Sequence, residues 1–294
     1  MSEFLSYLIP GIMTGFVYAL IALGFVLIFK CSGVLNLAQG QLVIIGAYIF
    51  YAVAVSIGLP LWAAIPGTLV IAVIMGFLIE RTVMRRMIGQ PLLAVILITL
   101  AVGEILTGIM ILVWGPGVLS LPHLFPLGGV NFLGVSISYE RICFMGVSLV
   151  LFGILLLFFR FSRQGLAMMA VADDQQAAQS VGIKVSTALA LAWAIAAVVS
   201  GIAGILLTSV SGVHYSNIGI GLSSIAVVLV GGLESVGGVM LAGPLIGAIQ
   251  GIAAGYLDPL TGGGMADVAP YVVLLLVLMI KPSGFFGWKR IERV

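Results

Sequence analysis

The stretch LIPGIMTGFVYALIALGFVLIF, residues 8–29, contains no charged side chain. A helix needs about 20 mostly apolar residues to cross roughly 30 Å of hydrocarbon. Eight further apolar stretches follow, at residues 40–58, 61–79, 91–113, 142–159, 188–209, 218–233, 236–256 and 268–280. The stretches 218–233 and 268–280 are short, so eight to ten crossings are expected. The sequence therefore predicts an all-α polytopic membrane protein with about nine transmembrane segments, some of them broken.

The composition excludes most other classes of protein. Of 294 residues, 62% are hydrophobic and 7% are charged, and the mean hydropathy is +1.30. Soluble proteins carry about 25% charged residues, which excludes a cytosolic enzyme and a disordered chain. A net charge of +2 without a long basic run excludes a nucleic-acid binder. The two cysteines, Cys31 and Cys143, are too few for a disulfide scaffold.

The basic residues predict an orientation. Nine alternating crossings place all of the 12 Lys and Arg residues except Arg141 on one side. They fall in four places, namely Lys30; Arg81, Arg85 and Arg86; Arg160, Arg163 and Lys184; and Lys281, Lys289, Arg290 and Arg293. Because basic residues favour cytoplasmic loops, we expect the N-terminus outside and the C-terminus inside. The start, Met1-Ser2-Glu3, lacks the basic region of a signal peptide, so we expect the first segment to be retained.

Small residues mark the surfaces where helices approach closely. Four glycines spaced by four lie on one face of a single segment, and two more repeat the spacing near the start. They are Gly243, Gly247, Gly251 and Gly255, and Gly11 and Gly15. Membrane helices associate through such small residues. Generic close packing is the favoured interpretation, and a subunit interface or a mobile helix contact is the alternative.

Two short stretches resemble each other. Residues 27–34 read LIFKCSGV and residues 206–213 read LLTSVSGV. In the predicted topology the first stretch ends at the cytoplasmic face and the second ends at the outer face. Inverted repeats are common in transporters. The match is short, so an inverted repeat and chance similarity both remain open.

The first polar interruption is SGVLNLAQGQ, residues 32–41. Asn36, Gln39 and Gln41 are neutral hydrogen-bonding groups beside glycines that permit an unwound backbone. Non-helical backbone at membrane depth is tolerated only where it is buried in protein or lines a wet cavity. A broken helix beside a polar solute path is the favoured interpretation, and a turn at the membrane interface is the alternative.

Two acidic residues interrupt other apolar segments. Glu104 lies midway along the stretch 91–113, and Glu234 lies in GGLESVGG, residues 231–238. A charge at the bilayer centre costs about 2.5–3.5 kcal/mol or more, so such residues are candidates for function. Glu104 is a candidate for the same solute path as Asn36, Gln39 and Gln41 if it faces a cavity. Glu234 is either part of a glycine break, with Gly231, Gly232, Ser235 and Gly237, or a solvated turn residue at the cytoplasmic surface.

The longest polar cytoplasmic loop, residues 160–187, predicts a short helix. Asp173 and Gln176 have the spacing of a capping box, and Asp174 adds negative charge at the helix N-terminus. Ala177, Ala178 and Val181 are expected on one face, and Gly182 is suited to end the helix. The helix either inserts into a groove of a partner or is a solvated connector.

These segments together resemble the membrane permeases of branched-chain amino-acid ABC importers, a group that also includes urea and amide permeases. The resemblance covers nearly the whole chain. It is carried by NLAQGQ at residues 36–41, by SRQG at 162–165, ADDQQAA at 172–178 and VGI at 181–183, and by GGLES at 231–235. The loop match is the most specific, because lipid does not constrain a polar loop.

The resemblance implies a single transmembrane permease domain, residues 1–294, in a bacterial or archaeal cytoplasmic membrane. The partners that it implies are a second related permease, cytoplasmic ATP-binding subunits and a periplasmic or lipid-anchored solute-binding protein. It implies no nucleic-acid partner. Residues 173–182 correspond to the helix that couples to the ATPase, and residues 31–41 to part of the translocation path. The permease itself binds no cofactor or metal and has no catalytic residue, and ATP is hydrolysed by its partners. Consistently, the sequence has no Gly-x-x-x-x-Gly-Lys-Ser/Thr motif.

Departures from the family keep alternatives open. Many relatives have His at position 39 and an acid at position 41, where this chain has two amides. A neutral path also suits urea or a small amide. An ion-coupled secondary carrier using Glu104 and Glu234 is a second alternative. An intramembrane hydrolase using Ser211 or Ser235 with His214 is the least favoured, since the sequence lacks a Gly-x-Ser-x-Gly motif.

Overall fold

The computed structural model describes residues 2–126, 128–132 and 134–287. Within them the chain is mostly helical. The helices are α1 (Ser2–Ser32), α2 (Gln39–Tyr51), α3 (Leu61–Thr82), α4 (Leu92–Trp114), α5 (Tyr139–Phe161), α6 (Arg163–Asp173), α7 (Gln175–Ser180), α8 (Val185–Ser211), α9 (Gly219–Gly231), α10 (Val236–Ile252), α11 (Asp258–Thr261) and α12 (Met265–Ile280). Short π or 3-10 turns lie at Ala52–Ser56, Met84–Met87, Tyr215–Ile218 and Ala253–Leu257.

The long apolar helices confirm a polytopic membrane fold. Seven helical segments of the described chain are long and apolar enough to cross a membrane, by length and composition. They are Ser2–Ser32, Gln39–Ser56, Leu61–Met87, Leu92–Trp114, Tyr139–Phe161, Val185–Ser211 and Val236–Thr261. Two shorter apolar helices, Tyr215–Gly231 and Met265–Ile280, occupy the two stretches predicted as short. The predicted number of about nine is therefore slightly too high, because these two fall below the length of a full crossing.

A small β-hairpin interrupts the helices, which an all-α prediction does not include. Strand β1 (Gly129–Phe132) pairs antiparallel with β2 (Val135–Ser138), and Gly129 lies opposite Ser138. Along β2 the side chains alternate, so Val135 and Ile137 are buried and pack near Met13. Alternating apolar residues are the signal of a strand with one buried face, but each strand here has only four residues.

The described residues form two compact units. The first unit takes the described parts of residues 1–26, 125–152 and 222–294, and the second takes residues 27–124 and 153–221. Each unit is therefore assembled from discontinuous stretches of the chain. The single permease domain stays a prediction.

The first unit is built on a close contact between α1 and α10. A Cβ atom added to Gly11 would lie 2.5 Å from the carbonyl oxygen of Gly247, and one added to Gly15 would lie 2.8 Å from Cα of Pro244. A Cβ atom on Gly251 would likewise lie 3.0 Å from Cα of Gly11. The backbones thus touch where the glycines face each other, as small-residue motifs in membranes require. Close packing within the chain is confirmed for these glycines.

The second unit is organised around α8. A Cβ atom added to Gly46 of α2 would lie 2.5 Å from Cα of Gly201, and one added to Gly76 of α3 would lie 2.5 Å from the carbonyl oxygen of Trp193. The side chain of Trp193 is fully buried. Gly204 makes a third close approach, to the carbonyl group of Val43. Two neighbouring helices therefore contact α8 through glycines.

The two similar stretches of sequence end their helices in the same way. Gly33 follows α1 with a φ of +69°, and Gly212 follows α8 with a φ of +77°. The preceding hydroxyl donates to the carbonyl group four residues earlier, at 2.8 Å for Ser32 and 3.2 Å for Ser211. A positive φ is the conformation that favours glycine. The shared Ser-Gly-Val therefore encodes the same helix end, and the inverted repeat stays a prediction.

Candidate functional site

The polar segment after α1 is buried within the second unit. Asn36 and Gln39 are fully buried, and the chain between Ser32 and Gln39 is not helical. The side-chain carbonyl of Asn36 accepts a hydrogen bond from the Ala38 amide at 3.1 Å, and its amide group donates to Oε1 of Gln39 at 3.4 Å. The burial of these amides is what a broken helix within protein requires. It does not fit a turn exposed at the membrane interface.

Two neighbouring helices hold this break in place. From α8, Ser200 accepts a hydrogen bond from Nε2 of Gln39 at 2.7 Å and donates to the carbonyl of Ala196 at 2.6 Å. From α4, Oγ1 of Thr99 accepts a hydrogen bond from the Leu37 amide at 3.1 Å. Sequence reasoning missed both hydroxyl residues. The available signal was a small polar residue near the middle of an apolar segment.

Gln41 packs against α4, whereas Glu104 is an exposed residue of α4 itself. Gln41 is 7% exposed, and a Cβ atom added to Gly103 would lie 3.0 Å from the Gln41 side-chain amide. The Oε1 atom of Gln41 has no hydrogen-bond partner in the described part of the chain. Glu104, one residue further along, is exposed, as is the neighbouring Ile105. The structure therefore joins Asn36 to Gln39, places Gln41 against Gly103 of α4 and leaves Glu104 on the exposed face of α4.

The predicted glycine break is present in the first unit. Helix α9 ends at Gly231, Gly232 has a φ of +103°, and Ser235 caps α10 by accepting a hydrogen bond from the Gly238 amide at 3.0 Å. Glu234 is half-buried and has an interaction partner. Gly237 is exposed, with open space where a side chain would lie.

A C-terminal segment that sequence reasoning missed pairs with the end of α9. The Phe285 amide donates to the carbonyl of Val230 at 2.8 Å, and the Phe286 amide donates to that of Gly231 at 3.2 Å. The last carbonyl groups of a helix receive no hydrogen bond from an amide of the same helix, so these two are free to accept from the C-terminal segment. The break is therefore covered by chain from after α12.

In the polar loop the helix cap is Asp174, not Asp173. Oδ1 of Asp174 accepts hydrogen bonds from the amides of Gln176 at 2.8 Å and Ala177 at 3.0 Å. Asp174 has an extended backbone, which an N-cap needs, whereas Asp173 is the last residue of α6. The predicted capping box of Asp173 with Gln176 is wrong by one position, because α6 begins at its own cap, Ser162, and continues through Asp173.

The end of α7 confirms one prediction and corrects another. Gly182 lies just after the helix with a φ of +85°, as predicted for a residue that ends it. Ala178 is 3% exposed, whereas Val181 is 75% exposed and Ala177 is also exposed. The prediction that Ala177, Ala178 and Val181 share one face is therefore wrong. Ala178 packs inward, and the other two point outward.

A cavity of about 110 Å³ lies between α7 and the break. Gln175, the first residue of α7, lines it together with Ser32 and Val34, which precede the amides. Met84 and the buried Trp193 also line this cavity. Residues on either side of this space belong to the same compact unit. The start of α7 is thus separated from the broken segment by empty volume.

An ion pair with a buried carboxylate lies at the end of α3. The side chain of Glu80 is fully buried, and Arg85 binds it with two parallel hydrogen bonds, 3.1 Å from Nε to Oε1 and 2.9 Å from Nη2 to Oε2. Such a fork is the strongest geometry for an arginine–carboxylate pair. One member of the predicted cytoplasmic basic group therefore has a structural role.

The residues proposed for a hydrolase do not form a catalytic pair. Nδ1 of His214 lies 2.5 Å from Oγ of Ser216, and Nε2 lies 2.8 Å from the carbonyl oxygen of Pro116. Ser211 instead donates to the carbonyl of Leu207 at 3.2 Å, and Ser235 caps α10. In residues 2–126, 128–132 and 134–287, no group of three or more His, Cys, Asp or Glu side chains is placed to hold a metal ion.

Comparison with known families agrees with this architecture. The family described as "Branched-chain amino acid transport system / permease component" matches residues 7–280. The high-affinity branched-chain amino acid transport system permease protein BraD of Pseudomonas aeruginosa is 31% identical, over 99% of this chain and 98% of BraD. LivH of Escherichia coli K12, named as a permease protein of the same kind of system, is 28% identical over 99% of this chain and 98% of LivH.

Two further similarities are weaker or partial. LivM of Salmonella typhimurium, also named as a high-affinity branched-chain amino acid transport system permease protein, is 30% identical over 93% of this chain and 68% of LivM. A chain of PsaBC from Streptococcus pneumoniae, solved in complex with Fab, aligns with a TM-score of 0.50 at 17% identity over 95% of this chain and 94% of that chain. At this identity the likeness concerns the fold alone. This chain is a multi-pass membrane protein that belongs to the family of permease components of branched-chain amino acid transport systems.

Proposed function

We propose that the chain is the membrane permease subunit of an ABC importer for branched-chain amino acids. The observation that carries the proposal is the family match over residues 7–280, together with the full-length similarity to BraD and LivH. Solute is delivered by a binding protein outside the membrane, and cytoplasmic ATP-binding subunits supply the energy. Similarity to both LivH and LivM supports a second, related permease as the partner in the membrane.

The orientation belongs to the same proposal. The N-terminus faces outward and the C-terminus inward in a bacterial or archaeal cytoplasmic membrane. The distribution of basic residues supports it, and so do the bacterial and archaeal sources of the relatives. Three residues of the predicted basic tail, Lys289, Arg290 and Arg293, lie outside the described residues.

The amide segment borders the translocation path in this proposal. Asn36 and Gln39 are neutral polar groups, which match a solute without net charge, and they are fully buried, so the solute contacts them only when the surrounding helices open. Ser200 holds Gln39 by a hydrogen bond. Transporters build such sites at discontinuous helices. Glu104 borders the path from the exposed face of α4, toward the second permease, because a carboxylate inside a membrane span faces a protein interior or water. The glycine break at residues 231–237 allows the helices on either side to change their angle.

Helix α7 couples the permease to the ATP-binding subunits. Ala177 and Val181 point outward and offer a small apolar contact surface. Asp174 holds the helix start, and Gly182 ends it. The cavity behind Gln175 gives α7 room to move toward the broken segment when the ATP-binding subunits close.

Transport by the reconstituted complex tests the assignment. Proteoliposomes containing this chain and its partner subunits should take up radiolabelled leucine, isoleucine and valine only with ATP on the cytoplasmic side and with the binding protein outside. Urea and acetamide in the same assay test the alternative substrates. Uptake by this chain alone, driven by a proton gradient, would contradict the proposal.

A matched pair of substitutions tests the role of α7. Val181→Asp places a charge on the 75% exposed valine of α7, and Val118→Asp makes the same change at a 64% exposed valine between α4 and β1. Binding of the ATP-binding subunits to the permease, measured by co-purification, should weaken about tenfold with Val181→Asp and should not change with Val118→Asp, since only the first lies at the docking surface. Equal binding by the two variants would show that α7 is not the coupling element.

A further inference from the structure

A cavity of about 360 Å³ lies in the first unit, where the ends of four helices meet. Ser6 belongs to the start of α1, Arg141 to the first turn of α5, Gln250 to the last turn of α10, and Ala266 to the start of α12. Because α1, α5 and α12 begin there and α10 ends there, the cavity lies on the side of the membrane that holds the start of α1. We call it the Arg141 cavity.

The side chain of Arg141 brings a positive charge to the wall of the cavity. Arg141 is half-buried, and within the described part of the chain its guanidinium has neither a hydrogen bond nor an ion pair with an acidic side chain. It is also the basic residue that the predicted topology places alone on the outer side. A guanidinium presents donors in a fork that matches a carboxylate or a phosphate.

The wall of the same cavity also contains a hydrogen-bond acceptor. The Oε1 atom of Gln250 is buried and has no hydrogen-bond partner among the described residues. Tyr18, which also lines the cavity, interacts with the Gln250 side chain and feels the negative charge of Asp267. Buried polar atoms are normally paired, so the unpaired carbonyl oxygen of Gln250 is the acceptor for a donor that enters the cavity.

The base of the cavity is rigid. Gly11, Gly247 and Gly251 line it, and these are the residues at which the backbones of α1 and α10 touch. This part of the wall is therefore formed by packed backbone rather than by mobile side chains. A site whose shape exists before the ligand arrives loses less entropy on binding.

We infer that the Arg141 cavity binds a small zwitterionic group, with an anionic oxygen against Arg141 and an N–H donor toward Gln250. A free α-amino acid and the headgroup of phosphatidylethanolamine share this chemistry. The volume lies within the range of small-molecule sites. The inference goes beyond the proposed function, which assigns the solute path to residues of the other unit, and it depends on binding rather than on transport.

Two binding measurements distinguish the sources of the ligand. The full-length chain in nanodiscs of phosphatidylcholine, whose headgroup has no N–H donor, is titrated calorimetrically with L-leucine and with L-leucinamide, which has no carboxylate. In parallel, nanodiscs containing phosphatidylethanolamine are examined by native mass spectrometry for lipid retained by the protein. Binding of leucine but not leucinamide identifies the amino acid, and retention of phosphatidylethanolamine identifies the lipid. Each result supports the inference when it depends on Arg141.

Substitutions test whether binding depends on Arg141. Arg141→Gln should weaken the bound zwitterion about tenfold or more, and Gln250→Leu should weaken it by a smaller factor. Arg160→Gln is the matched control, because Arg160 is an exposed arginine at the other end of α5 and should leave binding unchanged. If Arg141→Gln does not fold, Arg141→Lys should still weaken binding, since it keeps the charge but loses the fork.

The inference is overturned if neither ligand binds, or if Arg141→Gln, or Arg141→Lys where the first variant does not fold, changes binding no more than Arg160→Gln does. The proposed function fails on a different result. Arg141-dependent binding of phosphatidylethanolamine by a complex that takes up no branched-chain amino acid would contradict the transport assignment and leave this site standing. Normal uptake without any Arg141-dependent binding would do the reverse.

Discussion

Gln39 and Ser200 are 161 positions apart in the chain, yet Nε2 of Gln39 donates a hydrogen bond to Oγ of Ser200 at 2.7 Å. Both side chains are fully buried. The bond joins the first residue of α2 to the middle of α8, the helix around which the second unit is organised. The position of the broken segment is thereby fixed by a helix that lies far away in sequence.

Removing this acceptor should reduce stability. Ser200→Ala deletes the oxygen that Gln39 donates to, and the loss of a buried hydrogen bond costs about 1 kcal/mol. We expect a lower unfolding midpoint in a detergent thermal-shift assay. Ser209→Ala is the control on the same helix, because within the described residues its hydroxyl bonds to the local carbonyl of Leu206 alone. An equal effect of both variants would mean that the contact with Gln39 adds nothing.

The contact between α2 and α8 predicts opposite outcomes for two facing glycines. Gly46→Ala places a Cβ atom 2.5 Å from Cα of Gly201, so the helices must move apart. Overpacking of this kind costs about 1–3 kcal/mol. Gly201→Ala places its Cβ atom 3.8 Å from Cβ of Ala72, an ordinary contact. Thermal unfolding should show a clear loss for Gly46→Ala and little change for Gly201→Ala, and the reverse order would contradict this helix packing.

The helix cap predicts which of two adjacent aspartates matters for α7. Asp174→Ala removes the acceptor for two backbone amides and should cost about 1 kcal/mol of local helix stability. Amide hydrogen exchange of residues 175–180 should become faster. Asp173→Ala removes no cap and should leave this exchange unchanged, and Asp174→Asn should restore most of the protection. Faster exchange in Asp173→Ala than in Asp174→Ala would show that Asp173 caps α7, as predicted from sequence.

The ion pair predicts that a single substitution is worse than the double one. Arg85→Gln leaves the carboxylate of the fully buried Glu80 without its cation, and an unpaired buried charge is strongly destabilising. Glu80→Gln combined with Arg85→Gln removes the charge as well, so part of the lost thermal stability should return. Arg86→Gln, at an exposed neighbour, should have little effect. Additive losses in the double variant would mean that the two side chains do not interact.

Hydropathy alone located the helices, because burial in lipid requires a continuous apolar stretch. Each of the nine predicted stretches contains a helix, although the helices at residues 218–233 and 268–280 fall short of a full crossing. Glycine spacing also located the packed face of α10, since close approach depends on the absence of Cβ atoms on one face. Both signals are local in sequence.

The parts that sequence reasoning missed depend on contacts between distant residues. Nothing near Ser200 or Thr99 shows that they bond to the segment at residues 36–39. Whether Asp173 or Asp174 caps α7 depends on where α6 ends, and both positions satisfy the local pattern. The sequence predicts Glu104 on the same path as the amides because the depth of a residue in the membrane can be read from sequence. The direction of a side chain around a helix depends instead on the packing of that helix.

The glycine contact between α1 and α10 limits how the first unit can move. Where Gly11, Gly15 and Gly247 meet, the two backbones touch directly, and no side chain lies between them that could change rotamer to permit sliding. We therefore expect the two helices to move together during a transport cycle. A covalent crosslink between them should leave the rate of uptake unchanged, and a crosslink that stops uptake would show that the two helices separate.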